Sequence, residues 1–97
     1  MQNLFKVDKL NFITAGMPIR TGKGSYPQAF DVLKEMNLDG MELEFVHGVR
    51  MSDDNRIFVK EMAKNFVITA HGPFYINLNS KEEEKIEASV QRIIDTA

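Results

Sequence analysis

The two histidines are the groups in this chain best suited to chemistry at neutral pH, and both stand where an apolar run breaks at glycine. Met41-Glu42-Leu43-Glu44-Phe45-Val46 leads into His47-Gly48, and Phe66-Val67-Ile68-Thr69-Ala70 leads into His71-Gly72-Pro73. An imidazole at such an exit can ligate a metal or carry a proton. His71 is the stronger of the two, because Gly72-Pro73 bends the chain away and leaves the ring at the rim. Its second ring nitrogen could be oriented by Glu44 or by a backbone carbonyl. Around the histidines the loops carry Arg20, Lys23 and Arg50, with no acidic side chain until Asp53. Lys and Arg number 12 against 14 Asp and Glu, a net charge of -2, so a slightly acidic chain gathers positive charge in these loops. An anion such as phosphate is the ligand this pattern suits. Phe74 and Tyr75, just past the bend, suit either a hydrophobic lid or a surface for stacking on bases.

Several classes are excluded. There is no cysteine, which removes disulfides, thiolate nucleophiles and cysteine-type zinc fingers, so any zinc has to use His, Asp or Glu. The loop Gly16-Met17-Pro18-Ile19-Arg20-Thr21-Gly22-Lys23-Gly24 looks like a phosphate loop but has five residues between Gly16 and the Gly-Lys pair, and Gly24 where Ser or Thr belongs. Nucleotide hydrolysis of the Walker type does not fit, although Arg20 and Lys23 could still touch a phosphate backbone. The Glu82-Glu83-Glu84 run reads as a solvated helix start. No signal peptide and no membrane-spanning apolar run is legible, and a cytoplasmic location is expected.

These groups need elements to hold them. With 97 residues the chain is a single domain at most, with a short N-terminal extension over residues 1–9. Three units follow, each a β-like run, a turn-rich loop and a helical pattern. Strands are expected within Leu10 to Ala15, Met41 to Val46, and Phe66 to Ala70 ending at His71. The first helix begins after Ser25, accepts Pro27 in its first turn, and places Ala29, Phe30, Leu33 and Met36 on one stripe. Asn37 and the Asp39-Gly40 turn stop it. The second starts at Ser52, with Asp53 and Asp54 in its first turn and Phe58, Val59, Met62 and Ala63 facing inward, and Asn65 is expected as a left-handed stop. A capping box of Ser80 and Glu83 opens the third, whose Ile86, Val90, Ile93, Ile94 and Ala97 recur at helical spacing.

Strand and helix in alternation imply right-handed crossovers and a parallel sheet, with every loop after a strand on one edge. Met41, Leu43 and Phe45 alternate with Glu42 and Glu44, unlike the continuous apolar strands of a sheet covered on both faces. The two glutamates therefore face water or a lumen. The expectation is an α/β protein made of the first three parallel βα units of a (β/α)8 barrel, incomplete because such a barrel takes about 250 residues. Self-association through exposed strand edges is the expected assembly route.

The segment His71-Gly72-Pro73-Phe74-Tyr75-Ile76-Asn77-Leu78 resembles the His-x-x-aromatic-x-Ile-Asn-Leu segment of the endonuclease IV family, zinc-dependent apurinic/apyrimidinic endonucleases built on a xylose-isomerase-like barrel. Ile13-Thr14-Ala15-Gly16-Met17-Pro18-Ile19 is similar to that family's first strand and loop, and Phe45-Val46-His47-Gly48-Val49-Arg50 to its second strand exit. The resemblance runs from about Leu10 onward and implies hydrolysis of phosphodiesters at abasic sites in DNA. By it, His71 is a zinc ligand and acts in catalysis through the metal. Arg50 and Phe74 are contacts to abasic duplex DNA, and His47 is a weaker one. The family often has a histidine where this chain has Gly16, and its other metal ligands lie on later strands. Asp39-Gly40-Met41-Glu42-Leu43 is shared more broadly with sugar isomerases and epimerases, in which Glu42 or Glu44 would lie beside a divalent metal. A non-catalytic barrel fragment is the remaining alternative.

Overall fold

Polar residues mark several of the helix ends along this chain. A computed structural model describes residues 9–97, so the N-terminal extension lies, except for Lys9, outside the described residues. The element order is β1 (Ile13–Ala15), a 3-10 turn (Ile19–Thr21), α1 (Tyr26–Glu35), β2 (Gly40–Glu44), α2 (Asp53–Met62), β3 (Val67–His71) and α3 (Glu83–Thr96). The strands form one parallel three-stranded sheet in the order β1-β2-β3, with Ile13, Thr14 and Ala15 opposite Gly40, Met41 and Glu42. The protein is thus α/β, with each strand followed by a helix. Among the described residues the outer edges of β1 and β3 carry no further strand.

The chain divides into two compact units. The first runs to Leu43 and includes Met51–Thr69. Its core is Ala29, Phe30 and Leu33 of α1, Met41 of β2, Val59 of α2, and Phe66. Phe30 is the hub, with ring centroids 5.8 Å from Phe58 and 5.1 Å from Phe66 in tilted, edge-on arrangements that suit aromatic quadrupoles. Helix α1 begins at Ser25, whose amide donates to the Gln28 side chain at 2.8 Å. It ends in a Schellman turn: Asn37 is left-handed at φ 55, and the Leu38 amide returns to the Leu33 carbonyl at 2.9 Å. Met36 departs from the expected stripe and is 47% exposed, because it lies at the cap, where the helix no longer directs its side chain inward. Helix α2 starts as expected, with Ser52 Oγ accepting the Asn55 amide at 3.2 Å. Its end differs from expectation. Asn65 does not adopt a positive φ, and the chain leaves through successive backbone bonds, Asn65 and Phe66 amides both donating to the Met62 carbonyl.

The second unit comprises Glu44–Arg50 and Ala70–Ala97. Helix α3 starts at Glu83 with Glu82 as its cap residue, and Ser80 Oγ accepts the Glu82 amide at 3.1 Å. The Ser80-Glu83 capping box is therefore not made, since Ser80 is used in a turn two residues before the helix. The buried residue of α3 is Ser89, while Val90, Ile93 and Ile94 are more than 40% exposed. A polar stripe, and not the expected apolar one, meets the loop after β3, because that loop presents backbone amides and carbonyls that require hydrogen-bonding partners.

The beginnings of the three strands are tied at Asp39. Its carboxylate accepts the Phe12 amide at 2.7 Å and the Lys9 ammonium at 3.1 Å. Its own amide donates to the Phe12 carbonyl and its carbonyl accepts the Val67 amide, both at 2.8 Å. Next to it, a Cβ on Gly40 would run into the Val67 carbonyl. Gly40→Ala is expected to cost about 1–3 kcal/mol through strand separation, read as a lowered urea midpoint. The Phe12 amide, and after it the Lys9 ammonium, holds the Asp39 carboxyl below its ordinary range. Stability from this group is therefore complete above the unfolded value of about 3.9 and is lost as pH falls through the folded one. The denaturant midpoint should decline below about pH 4, and Asp39→Asn should flatten that decline.

Candidate functional site

The loops that leave β2 and β3 are joined by backbone. The Phe45 amide donates to the His71 carbonyl at 2.9 Å, and the Phe74 amide to the Val46 carbonyl at 3.3 Å. This is parallel pairing carried past the last residue of β2, and it brings the His47-to-Arg50 loop beside the segment that starts at His71. His71 is the terminal residue of β3 and is exposed, as expected of a rim position. Its Nδ1 lies 2.7 Å from the Gly72 carbonyl. A carbonyl oxygen only accepts, so Nδ1 is the donor in this bond, and in a neutral ring the lone pair is then on Nε2, the tautomer in which an imidazole held by a carbonyl ligates a metal. The orienting group is thus a backbone carbonyl, one of the two options expected from sequence.

Around His47 the rings form a row. His47 and Phe74 meet edge-on at 6.0 Å and 84°, and Phe74 meets Tyr75 at 5.2 Å and 86°. Phe74 is 71% exposed, so its outer face is open to a ligand. The turn beneath is closed by the Gly48 amide on the Phe45 carbonyl at 3.0 Å, with Gly48 at φ 127, a conformation that side chains disfavour. Arg50 is exposed at the end of the loop. Glu44 ends β2, also exposed, and is engaged in an interaction of its own.

The other candidate residues belong to the first unit. Arg20 lies in the 3-10 turn, with Nη1 3.8 Å from a Glu35 carboxylate oxygen, a surface pair of small energetic value. It also borders a cavity of about 350 Å3 lined by Thr14, Ala15, Met17, Pro18 and Met36. Lys23 is exposed. Glu42 is half-buried on the opposite side of β2 from Met41. Among the described residues no three His, Asp or Glu side chains gather around one point. His71 has donor chemistry of the kind zinc accepts, and a single imidazole is short of the set that a zinc ion takes.

Two residues here, Ser89 and Arg92, were not singled out from sequence. Ser89, 1% exposed, accepts the Asn77 amide at 2.9 Å and donates to the Lys85 carbonyl at 2.7 Å. The Asn77 side chain in turn accepts the Asn79 amide at 3.0 Å. Arg92 lies over Tyr75, with Cζ 4.3 Å from the ring centroid. Their signal in sequence is the spacing of Ser89, Arg92 and Thr96, one helical face of polar residues that invites a polar partner. Ser89→Ala would leave the Asn77 amide without its acceptor, at a cost of about 1–3 kcal/mol. A lower urea midpoint and faster hydrogen exchange at the Asn77 amide are expected.

The chain is 50% identical over 88 residues to a Methanocaldococcus jannaschii protein named "Uncharacterized protein MJ0133", a match taking in 91% of this chain and 32% of that protein. It spans about a third of the length of this relative. No family model matches the chain, and no solved structure matches it. No helix among the described residues is long and apolar enough to cross a membrane.

Proposed function

We propose that this chain is the N-terminal part of a zinc-dependent, endonuclease IV-like enzyme that hydrolyses phosphodiesters at abasic sites in DNA, with its three βα units beginning a (β/α)8 barrel. The observation that carries the reading is His71: it ends β3, is exposed, and has its Nδ1 held on the Gly72 carbonyl, which leaves Nε2 as the ring nitrogen for a ligand. Length supports the reading as well. An 88-residue match that makes up 32% of the relative implies a protein of about 275 residues, the size of a complete barrel.

In this reading His71 is one of the residues that hold the metal. Zinc, when bound, supplies a strongly acidified water and offsets charge on the phosphodiester. This chain's own contribution is placement. Arg50 takes phosphate charge from solvent, and Phe74, edge-on to His47, offers an apolar face to the gap left by a missing base. DNA is the partner, and the described residues bring together no three His, Asp or Glu side chains to hold a metal.

One observation favours a second reading. Glu42 and Glu44 alternate with Met41 and Leu43, which pack on the core side of β2, as a sugar isomerase or epimerase with a carboxylate-bound metal in a barrel lumen would require. The two are separated by assaying a protein of the relative's length that carries this segment. Nicking of an abasic duplex with zinc retained through dialysis supports the nuclease. His71→Ala should then lower nicking by about 100-fold or more, since even outer partners of metal ligands are worth 10–100-fold, and should reduce the zinc content. An unchanged rate in His71→Ala, or turnover of an aldose without nicking, overturns the proposal.

A further inference from the structure

Tyr75 is held by its ring and by its backbone carbonyl. The Arg92 guanidinium lies 4.3 Å over its ring and Nη1 donates to its carbonyl at 3.4 Å, so α3 fixes the ring and the backbone of one residue together. The phenol end is thereby delivered to the loop after β2. A Cβ on Gly48 would stand 3.4 Å from the Tyr75 hydroxyl and 4.0 Å from Arg50 Nε. Gly48 carries no side chain and sits at φ 127, so the two donors flank a bare stretch of backbone. Among the described residues neither the Tyr75 hydroxyl nor the Arg50 guanidinium has a hydrogen-bond or ion-pair partner, whereas Asp53, the acid nearest Arg50 in sequence, pairs with Arg56 and Glu44 is engaged as well.

We propose that the Arg50 guanidinium and the Tyr75 hydroxyl form a two-donor subsite for a phosphoryl oxyanion above Gly48, with Arg92 as the positioning residue of Tyr75. A guanidinium fork and a phenol reaching in from separate loops suit an oxyanion that offers oxygens in more than one direction, and the absent side chain at Gly48 gives it room to approach. The subsite deepens the phosphodiester reading and takes its ligand class from it, but its formation depends on neither zinc nor strand cleavage. A nucleic-acid backbone and a sugar phosphate share this chemistry, so the probes separate them.

The 97-residue chain, labelled with 15N, is titrated with inorganic phosphate, with ribose 5-phosphate and with an abasic-site duplex while the Gly48 amide and Arg50 Nε–H signals are followed. Phosphate should shift both signals. Tyr75→Phe, which keeps the ring and its contact with Arg92, should weaken phosphate binding about tenfold, the scale of one hydrogen bond to a charged group. Arg92→Gln should weaken it in the same direction, and Arg92→Lys, which keeps a cation over the ring, should recover part of the loss. Should Arg92→Gln fail to fold, Tyr75→Phe alone decides. No shift with phosphate, or equal affinity in Tyr75→Phe and the parent chain, overturns the subsite. Tighter binding of ribose 5-phosphate than of duplex would keep the subsite and remove the nuclease reading.

Discussion

Asp39 sets the register on which the described structure depends. Its carboxylate and amide both engage Phe12, ahead of β1, while its carbonyl receives the Val67 amide at the start of β3. One residue thereby aligns three strands at their beginnings. Side chains on a strand alternate, so a slip of one position would exchange the two faces of β2. Glu42 would enter the space of Met41, which is 1% exposed within the aromatic and aliphatic core. An ionised carboxylate there has no partner among Phe30, Leu33 and Val59, and the penalty for burying it excludes the alternative register. Gly40 sharpens the same choice, because only a residue without a Cβ can lie against the Val67 carbonyl.

Much of this was legible in the sequence. Every expected strand and helix forms, although Asn65 and the Ser80-Glu83 pair do not end and start their helices in the expected way. Ser25, Ser52 and Asn37 stand at helix ends as expected: the Ser25 amide donates to Gln28, Ser52 Oγ accepts the Asn55 amide, and Asn37 takes a positive φ. Parallel order also follows from strand-helix alternation, and from it the adjacency of the loops carrying His47 and His71. What escaped the sequence was the orientation of α3. Its apolar residues have helical spacing, but the loop it meets is rich in backbone polar groups, so Ser89 and Arg92 face that loop. Ser80-Glu83 matched a capping pattern without forming it, since spacing cannot tell a cap from a turn that precedes one. The Tyr75–Arg92 contact links residues 17 apart across a loop and a helix, and no local pattern encodes it.

Within the second unit, aromatic and cationic groups divide the work between two loops. Phe74 leans on His47, Tyr75 on Phe74, and Arg92 on Tyr75. This chain of contacts connects the helix to the loop after β2 without a buried ion pair, so no large desolvation cost opposes it. Ser89 reinforces the arrangement by fixing Asn77, so the segment between His71 and α3 is secured at several points. An exposed loop held in this way can present donors at a defined spacing, which is the requirement for recognising a small anion.

The spatial order β1-β2-β3 repeats the order in the chain, and this bears on how the protein emerges during synthesis. β2 and β3 each find a neighbour already made, separated from it by one helical crossover. Loop-closure entropy is met in short instalments. Assembly can proceed in the direction of translation, with Asp39 pairing first to the segment made before it and then to the one made after.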